Sequence, residues 1–327
     1  MSYSFFGTCF NDHYHLFQCL DTMINQSLEP KEIIIIDSGN ENIEKKIISK
    51  LKKSDIKLIY IFRKLSRVES LNLGLDYSNH KYSLRFDSRS RFHKNYAKNA
   101  INILKKKSIN AAVVGGAPSI IAEKENFESK ICADIFSRDY IFFYPNHRKL
   151  NYTGYVSSVY LGCFNTFLIK SIKYRESYKM ISEDSLIISD LNEKGYKTYI
   201  SEDIKVSYVS RSSFINTLRL FNTYGFCRAN TILISKKAFL SMRHFLIFLL
   251  LVMFFILIVF ISLKILFLLP ILLFIFNCLG EFFLIGLKKS FIIPFCATLC
   301  QISWISGFIR SFLIIFKKKS TMSNYIN

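Results

Sequence analysis

The feature that most constrains this chain is a change of character near residue 244. The preceding part is mixed and rich in lysine, whereas three nearly uninterrupted apolar runs follow, at 245–263, 265–287 and 291–316. About 20 apolar residues are enough for a helix to cross the hydrocarbon core of a bilayer. Buried helices of a soluble protein would carry more polar residues on one face. The pattern therefore predicts a globular domain that is attached to a membrane.

The same composition predicts four regions along the chain. They are a globular domain over 1–210, an amphipathic basic segment over 211–244, membrane helices over 245–316 and a basic polar tail over 317–327. Only Lys264 separates the first two apolar runs, so we expect them to form a hairpin. The third run is either a further span or a segment embedded in the cytoplasmic leaflet.

The formal net charge of +20 could indicate a nucleic-acid-binding protein. However, many basic residues flank the apolar runs, among them Lys288, Lys289 and the stretch 317–319. That distribution is typical of cytoplasmic membrane flanks and of attraction to anionic lipids. A basic helix with interleaved aromatic residues is missing from the sequence. The charge therefore predicts membrane lipids as a partner and no nucleic acid.

Targeting signals and cysteines indicate the compartment. Residues 1–15 lack the basic start and apolar core of a signal peptide. The eight cysteines include no C-x-x-C pair and are interpreted as reduced thiols. We therefore expect the inner (cytoplasmic) membrane as the location, with the globular domain facing the cytoplasm.

The globular part alternates strand-like and helix-like segments, which predicts an α/β fold with a doubly wound sheet. The predicted elements are strand 3–10, helix 13–25, strand 32–36, helix 43–53, strand 56–62, helix 68–77 and strand 82–86. Ligands of such sheets bind beyond the carboxyl ends of the strands. Asp37 and Asp87 both fall at such ends, which marks them as candidate site residues.

Four stretches together carry a resemblance to a known family. They are Thr8–Asn11 with Glu32–Asn40, Asn72–Gly74 with Leu84–Arg89, Tyr160–Phe164 with Ser182–Asp184, and Tyr208–Ser212 with Tyr224–Arg228. The chain resembles family 2 glycosyltransferases of the GT-A fold. In particular it is similar to the membrane-anchored branch that builds bacterial exopolysaccharides, typified by succinoglycan-type glucosyltransferases.

The resemblance implies an inverting transfer of one sugar from a nucleotide-sugar, with a UDP-sugar expected, to a polyprenyl-diphosphate-linked glycan. It implies donor-binding roles for Thr8, Asn11, Asp37, Asn72, Arg85, Asp87 and Arg89. It implies acceptor or phosphate-binding roles for Gly162, Glu183, Arg211 and Arg228. The Gln-x-x-Arg-Trp stretch of processive relatives is absent, which favours addition of a single sugar over polymerisation.

Asp87 is the carboxylate that the resemblance assigns to a divalent cation, Mg²⁺ or Mn²⁺. The family often has a second acid two residues later, where this chain has Arg89. One carboxylate holds a cation less firmly, and Arg89 or Arg91 could instead contact phosphate directly. The alternative interpretation of Arg85, Arg89 and Arg91 is a solvated basic loop.

Asp184 is the candidate general base. It lies at the start of a predicted helix, where the helix dipole favours the ionised carboxylate. The alternative is that acids are simply common in first turns. We expect the adjacent Glu183 to point elsewhere around the helix, and Glu281 to reach the interface beside Lys288.

Two other functions remain compatible with the sequence. The first is transfer to polyprenyl phosphate itself, which would use a phosphate nucleophile and need no strong base. The second is a catalytically silent, sugar-nucleotide-binding membrane partner of an assembly complex. The missing second acid after Asp87 favours that second alternative.

Overall fold

The computed structural model describes residues 2–52, 54–177, 180–234, 268–285 and 291–323. The chain divides into two compact units. The first comprises Met1–Ile121, Pro145–Ser177 and Glu183–Val209, and the second comprises Ala122–Tyr144, Tyr178–Ser182 and Ser210–Asn327. The predicted apolar run 245–263 lies outside the described residues.

The first unit begins with the predicted alternation of strands and helices. Its elements to residue 87 are β1 (Tyr3–Cys9), α1 (His13–Ile24), β2 (Glu32–Asp37), α2 (Glu44–Leu51), β3 (Lys57–Phe62), α3 (Arg67–Tyr77) and β4 (Tyr82–Asp87). A capping box starts α3, because Ser66 accepts from the backbone of Glu69 while the Glu69 carboxylate accepts from the Ser66 backbone. These boundaries agree with the sequence prediction to within about two residues.

The remainder of the first unit completes two sheets. Its strands are β5 (Ser90–Phe92), β6 (Ala111–Gly116), β7 (Pro118–Ile121), β8 (Gly154–Tyr155), β9 (Tyr160–Asn165), β10 (Lys197–Ile200) and β11 (Val206–Val209). Its helices are α4 (Tyr96–Leu104), α6 (Thr166–Ile172) and α7 (Glu183–Glu193), and the intervening α5 (Phe127–Ser137) belongs to the second unit.

The larger sheet has the strand order β3-β2-β1-β4-β9-β6-β10-β8. Strands β3, β2, β1 and β4 are parallel, and β9 is antiparallel to both of its neighbours. A smaller sheet has the order β5-β11-β7. The prediction of a doubly wound, mixed α/β sheet is confirmed.

Apolar packing on both faces holds the larger sheet. All six residues of β2 are buried, as expected for a parallel strand covered by helices on both sides. Ile33 and Ile35 pack into one hydrophobic cluster, whereas Ile34 and Ile36 pack into another. The strand register aligns Cys9 with Asp37 and Thr8 with Asp87. The carboxyl ends of β1, β2 and β4 therefore meet at one edge of the sheet.

The described part of the second unit is mainly helical. Its elements are α5 (Phe127–Ser137), a 3-10 turn (Asp139–Phe142), α8 (Phe214–Ile234) and the helices Leu268–Ile285 and Ile292–Ser323. The last helix approaches α8 so closely that a Cβ on Gly225 would lie 1.9 Å from the carbonyl oxygen of Trp304. Among the described residues, Ile292–Ile314 is the helical segment long and apolar enough to cross a membrane by length and composition.

Glu281 corrects one sequence expectation about this unit. Its side chain is buried instead of reaching the interface beside Lys288. The carboxylate accepts two hydrogen bonds from Arg138, at 2.9 and 3.0 Å, and one from the Tyr140 hydroxyl at 3.1 Å. A buried acid with a bidentate arginine is stable where an unpaired one would not be.

Candidate active site

Asp37 lies at the end of β2 with its carboxylate fully engaged. Its Oδ1 accepts from the Gly39 backbone at 2.8 Å. Its Oδ2 accepts from the Tyr60 hydroxyl at 2.8 Å and lies 3.0 Å from Nε2 of His13. The side chain is completely buried. Asp37 therefore orders the loop after β2, and its predicted contact with base or ribose remains a prediction.

The loop after β1 lies against the loop after β2. Asn11 adopts a left-handed backbone conformation, with φ of 52°, which Asn tolerates better than most residues. Its Oδ1 accepts from the Asn40 backbone at 2.8 Å. Thr8 is partly buried and aligned with Asp87. The structure thus brings four of the predicted donor-binding residues, Thr8, Asn11, Asp37 and Asp87, to one edge of the sheet.

Arg85 organises the acids at this edge. Its side chain is 1% exposed, so the alternative of a solvated basic loop is wrong for this residue. One guanidinium nitrogen donates to Asp184 Oδ1, and Nη2 lies 3.3 Å from Glu183 Oε1 and 3.6 Å from Asp87 Oδ1. A buried guanidinium requires such charged partners.

Arg67 joins the same cluster from the start of α3. Its Nη2 donates to both oxygens of Asp87, at 3.0 and 3.3 Å, and its Nε donates to Glu183 at 2.5 Å. Glu183 therefore faces the same arginines as Asp184, and the expectation that it points elsewhere is wrong. We name Arg67, Arg85, Asp87, Glu183 and Asp184 the acid–arginine cluster.

The acids of the cluster have pKa values that are shifted in opposite directions. Burial raises the pKa of Asp87 and of Glu183, but the guanidinium groups of Arg67 and Arg85 outweigh it and hold both pKa values below their usual range. Loss of hydration raises the pKa of Asp184 to about 6, since the Glu183 charge adds to it and Arg85 only partly offsets it. The Asp184 side chain nevertheless remains 45% exposed.

The result for Asp184 differs from the sequence expectation, because desolvation outweighs the effect of the helix start. A carboxylate with a pKa near 6 is still largely ionised at neutral pH. It is a stronger base than an ordinary aspartate and is accessible to a ligand. Those are the properties of a proton acceptor.

Arg89 and Arg91 each have protein partners. Arg89 Nε donates to Asp12 Oδ2 at 3.1 Å. Arg91 donates to the Gln18 side chain and to the Ser88 carbonyl oxygen at 3.1 Å. Arg89 therefore stands beside an acid that the sequence analysis did not select.

Asn72 and Gly162 support the site through the backbone. The Asn72 amide donates to the Tyr174 carbonyl at 2.9 Å and accepts from the Tyr174 nitrogen at 2.8 Å. The Tyr174 ring lies 5.7 Å from the Arg85 guanidinium carbon. Gly162 has φ of 104°, and a Cβ there would lie 2.7 Å from Val113. Asn72 thus positions the residue that packs against Arg85, and Gly162 gives β9 a backbone conformation and a close approach to Val113 that a side chain would not permit.

The remaining predicted residues belong to the second unit. Arg211 precedes α8, and Arg228 lies on it. Their contacts with acceptor or lipid phosphate stay a prediction.

Sequence reasoning missed three residues of this edge. Asp12 follows β1 as Asp37 follows β2, so the rule of strand-end acids could have found it. Arg67 follows the cap of α3, a position that gives no hint of acids 116 residues away. Tyr60 lies within β3, and nothing in its spacing indicates the bond to Asp37.

The described residues contain one other group of potential metal ligands. Ligand atoms of Cys9, His13 and Asp37 lie within 4.8 Å of one another. Burial raises the pKa of the Cys9 thiol to about 11, so it stays protonated at neutral pH. All eight cysteines are free thiols, as the sequence predicts.

The sequence is similar to those of known glycosyltransferases. The sequence is 28% identical over 245 residues to a dolichyl N-acetyl-alpha-D-glucosaminyl phosphate 3-beta-D-2,3-diacetamido-2,3-dideoxy-beta-D-glucuronosyltransferase of Methanococcus voltae, covering 70% of this chain and 73% of that protein. It is 28% identical over 118 residues to an uncharacterized glycosyltransferase of Haemophilus influenzae, covering 36% of each chain.

A solved structure shares the fold. The mannosyltransferase PcManGT from Pyrobaculum calidifontis, in complex with GDP-Man and Mn²⁺, superposes with a TM-score of 0.57 at 11% identity, covering 94% of this chain and 86% of that one. The fold is therefore the GT-A fold. The sequence profile described as glycosyl transferase family 2 matches residues 5–174, more than half of the chain. This chain is a transferase that belongs to glycosyl transferase family 2.

Proposed function

We propose that this protein is an inverting glycosyltransferase that adds a single sugar from a nucleotide-sugar to a lipid-linked glycan in bacterial surface polysaccharide biosynthesis. The observation that carries the proposal is the partly exposed Asp184 carboxylate, which has a pKa of about 6 and contacts Arg85 of β4, at the sheet edge where ligands of such folds bind. The M. voltae relative is named as a glycosyltransferase that acts on a dolichyl-linked sugar phosphate, which supports a lipid-linked acceptor.

The proposed reaction is one displacement at the anomeric carbon. The acceptor hydroxyl oxygen forms a bond to that carbon while the bond from the carbon to the diphosphate oxygen breaks. The hydroxyl proton passes to the Asp184 carboxylate, and the nucleoside diphosphate leaves with the bonding electron pair. Attack from the face opposite the leaving group inverts the anomeric configuration.

The acid–arginine cluster would serve two parts of this reaction. Asp184 supplies the base, and the hydrogen bond from Arg85 fixes the orientation of its carboxylate. The guanidinium groups provide positive charge where negative charge grows on the departing diphosphate. Asp37, Asn11 and Thr8 lie at the same edge and form the proposed nucleotide side of the site.

We further propose that the protein works at the inner membrane, with this site facing the cytoplasm. The apolar helix Ile292–Ile314 and the basic residues that flank the apolar runs support attachment to an anionic lipid surface. Confinement of enzyme and lipid-linked acceptor to one surface raises their effective concentration.

The test is release of free nucleoside diphosphate by membranes that contain the full chain. The donors are UDP-, GDP- and dTDP-sugars, each with and without lipid-linked glycans extracted from the host. We expect one of these donors, most readily a UDP-sugar, to be consumed, and only when the lipid-linked glycans are present.

Two other outcomes would identify the alternatives. Release with polyprenyl phosphate alone would indicate transfer to that lipid. Binding of a donor without release under any condition would indicate a silent partner.

A further inference from the structure

The side chains around Asp87 do not match what a divalent cation needs. Mg²⁺ and Mn²⁺ take oxygen ligands from carboxylates and from substrate phosphates. Both Asp87 oxygens already accept hydrogen bonds from Arg67 Nη2, at 3.0 and 3.3 Å. The position of the usual second acid is Arg89, which pairs with Asp12. The donor set therefore does not fit a resident divalent cation.

The neighbouring acids are engaged as well. Glu183 Oε1 accepts from Arg67 at 2.5 Å and from Arg85 at 3.3 Å, and Asp184 accepts from Arg85. A cation entering here would have to displace a guanidinium from each carboxylate that it used. Two guanidinium groups therefore occupy the positions beside these carboxylates that a cation would take.

Arg67 is the guanidinium that can reach a ligand. Its side chain is 48% exposed, whereas that of Arg85 is 1% exposed. Its Nε and Nη2 are held by Glu183 and Asp87, while its Nη1 has no acceptor among the described residues. Two N–H groups of an already oriented arginine therefore remain for a ligand. An oriented guanidinium suits phosphate oxygens and loses less rotamer freedom on binding.

We propose that Arg67 takes the place of the divalent cation in this enzyme. It donates from Nη1 to the diphosphate of the donor and neutralises charge on the departing nucleoside diphosphate. Transfer then needs no added metal. This inference rests on the proposed function, because it assumes that a nucleotide-sugar binds at the acid–arginine cluster.

The test uses the full chain in lipid nanodiscs and measures nucleotide affinity, which requires no acceptor. The probes are UDP and UMP, with GDP and dTDP in parallel, each measured in EDTA and again in Mn²⁺. We expect the diphosphate to bind in EDTA and to gain less than about twofold in affinity from Mn²⁺. We also expect it to bind more tightly than the monophosphate. Tight binding that appears only with Mn²⁺ would overturn the proposal and leave the proposed function intact.

Two variants test whether Arg67 is the residue responsible for diphosphate binding. Arg67→Gln should weaken diphosphate binding by about 10- to 100-fold and narrow the preference for UDP over UMP. Arg175→Gln is the matched control, because Arg175 also pairs with a carboxylate, Asp190, but lies outside the cluster. It should keep the affinity and the preference of the wild type.

Two further results would count against the inference. An Arg67→Gln protein that binds UDP as tightly as the wild type would overturn it. Binding of no nucleotide to the wild type under any condition would remove the proposed function together with this inference.

Discussion

Each unit of the molecule contains an arginine paired with a buried or half-buried acid, and the two arrangements differ in their balance of charges and in their access to solvent. In the second unit Arg138 meets Glu281 through two parallel hydrogen bonds, and Tyr140 completes the set. Glu281 is 4% exposed, and both of its carboxylate oxygens accept hydrogen bonds from described residues. Such a closed pair holds helices together and offers nothing to a ligand.

The acid–arginine cluster of the first unit is neither balanced nor closed. Three carboxylates share two guanidinium groups, and Asp184 and Arg67 remain 45% and 48% exposed. One acid consequently carries a raised pKa while its neighbours carry lowered ones. An excess of acid at an accessible edge marks a reactive site, whereas a matched pair marks a structural contact.

The largest expected effect is a loss of activity when the acid–arginine cluster loses its proposed base. Asp184→Asn should lower kcat by about 10²- to 10⁴-fold, because it removes the proton acceptor. Nucleotide affinity should change little. Asp190→Asn, the same substitution on the same helix, is the control and should retain activity. Rates of transfer measured on both variants decide the point, and an active Asp184→Asn would favour a phosphate nucleophile.

The next expected effect is a loss of stability when the Arg138–Glu281 pair is broken. Glu281→Ala should lower the free energy of unfolding by about 1–3 kcal/mol, because it removes the buried acceptor that Arg138 and Tyr140 share. Glu125→Ala removes an exposed acid that pairs with Lys130, and it should cost at most about 1 kcal/mol. Thermal unfolding in detergent measures both variants. Equal losses would contradict a structural role for the Arg138–Glu281 pair.

The pH dependence of the rate is the third expectation. Asp184 must be ionised to accept a proton, and its pKa lies near 6. Below that value kcat/KM should therefore fall about tenfold per pH unit. A profile of kcat/KM from pH 4.5 to 8 checks this. A rate that holds constant down to pH 4.5 would exclude a base with so high a pKa.

How far the sequence predicts the molecule depends on the distance over which residues interact. The β-branched run before Asp37 and the alternation around it predict the strands, because parallel strands covered on both faces are apolar throughout. Asp37 and Asp87 follow from the strand ends alone. The pairing of Arg67 with Glu183 joins residues 116 positions apart, and that of Arg138 with Glu281 joins residues 143 apart. Packing sets both pairs, and local pattern does not encode them.

The smallest expected effect concerns the nucleotide side. Tyr60→Phe removes one hydrogen bond to Asp37 and should weaken nucleotide binding by about fivefold, since one such bond contributes about 1 kcal/mol. Tyr155 lies on β8, and Tyr155→Phe removes a comparable bond from its hydroxyl to the Ile109 carbonyl, which should leave nucleotide binding unchanged. Titration of both variants with UDP compares them. An affinity unchanged in Tyr60→Phe would separate Asp37 from nucleotide binding.

The most direct measurement is the anomeric configuration of the product that the wild-type protein forms from a nucleotide-sugar and lipid-linked glycans. Purified product would be analysed by NMR against the donor of known configuration. Single displacement with Asp184 as the base predicts one added sugar per acceptor with inverted configuration. Retained configuration would contradict it, as would release of nucleoside diphosphate without any glycosylated lipid.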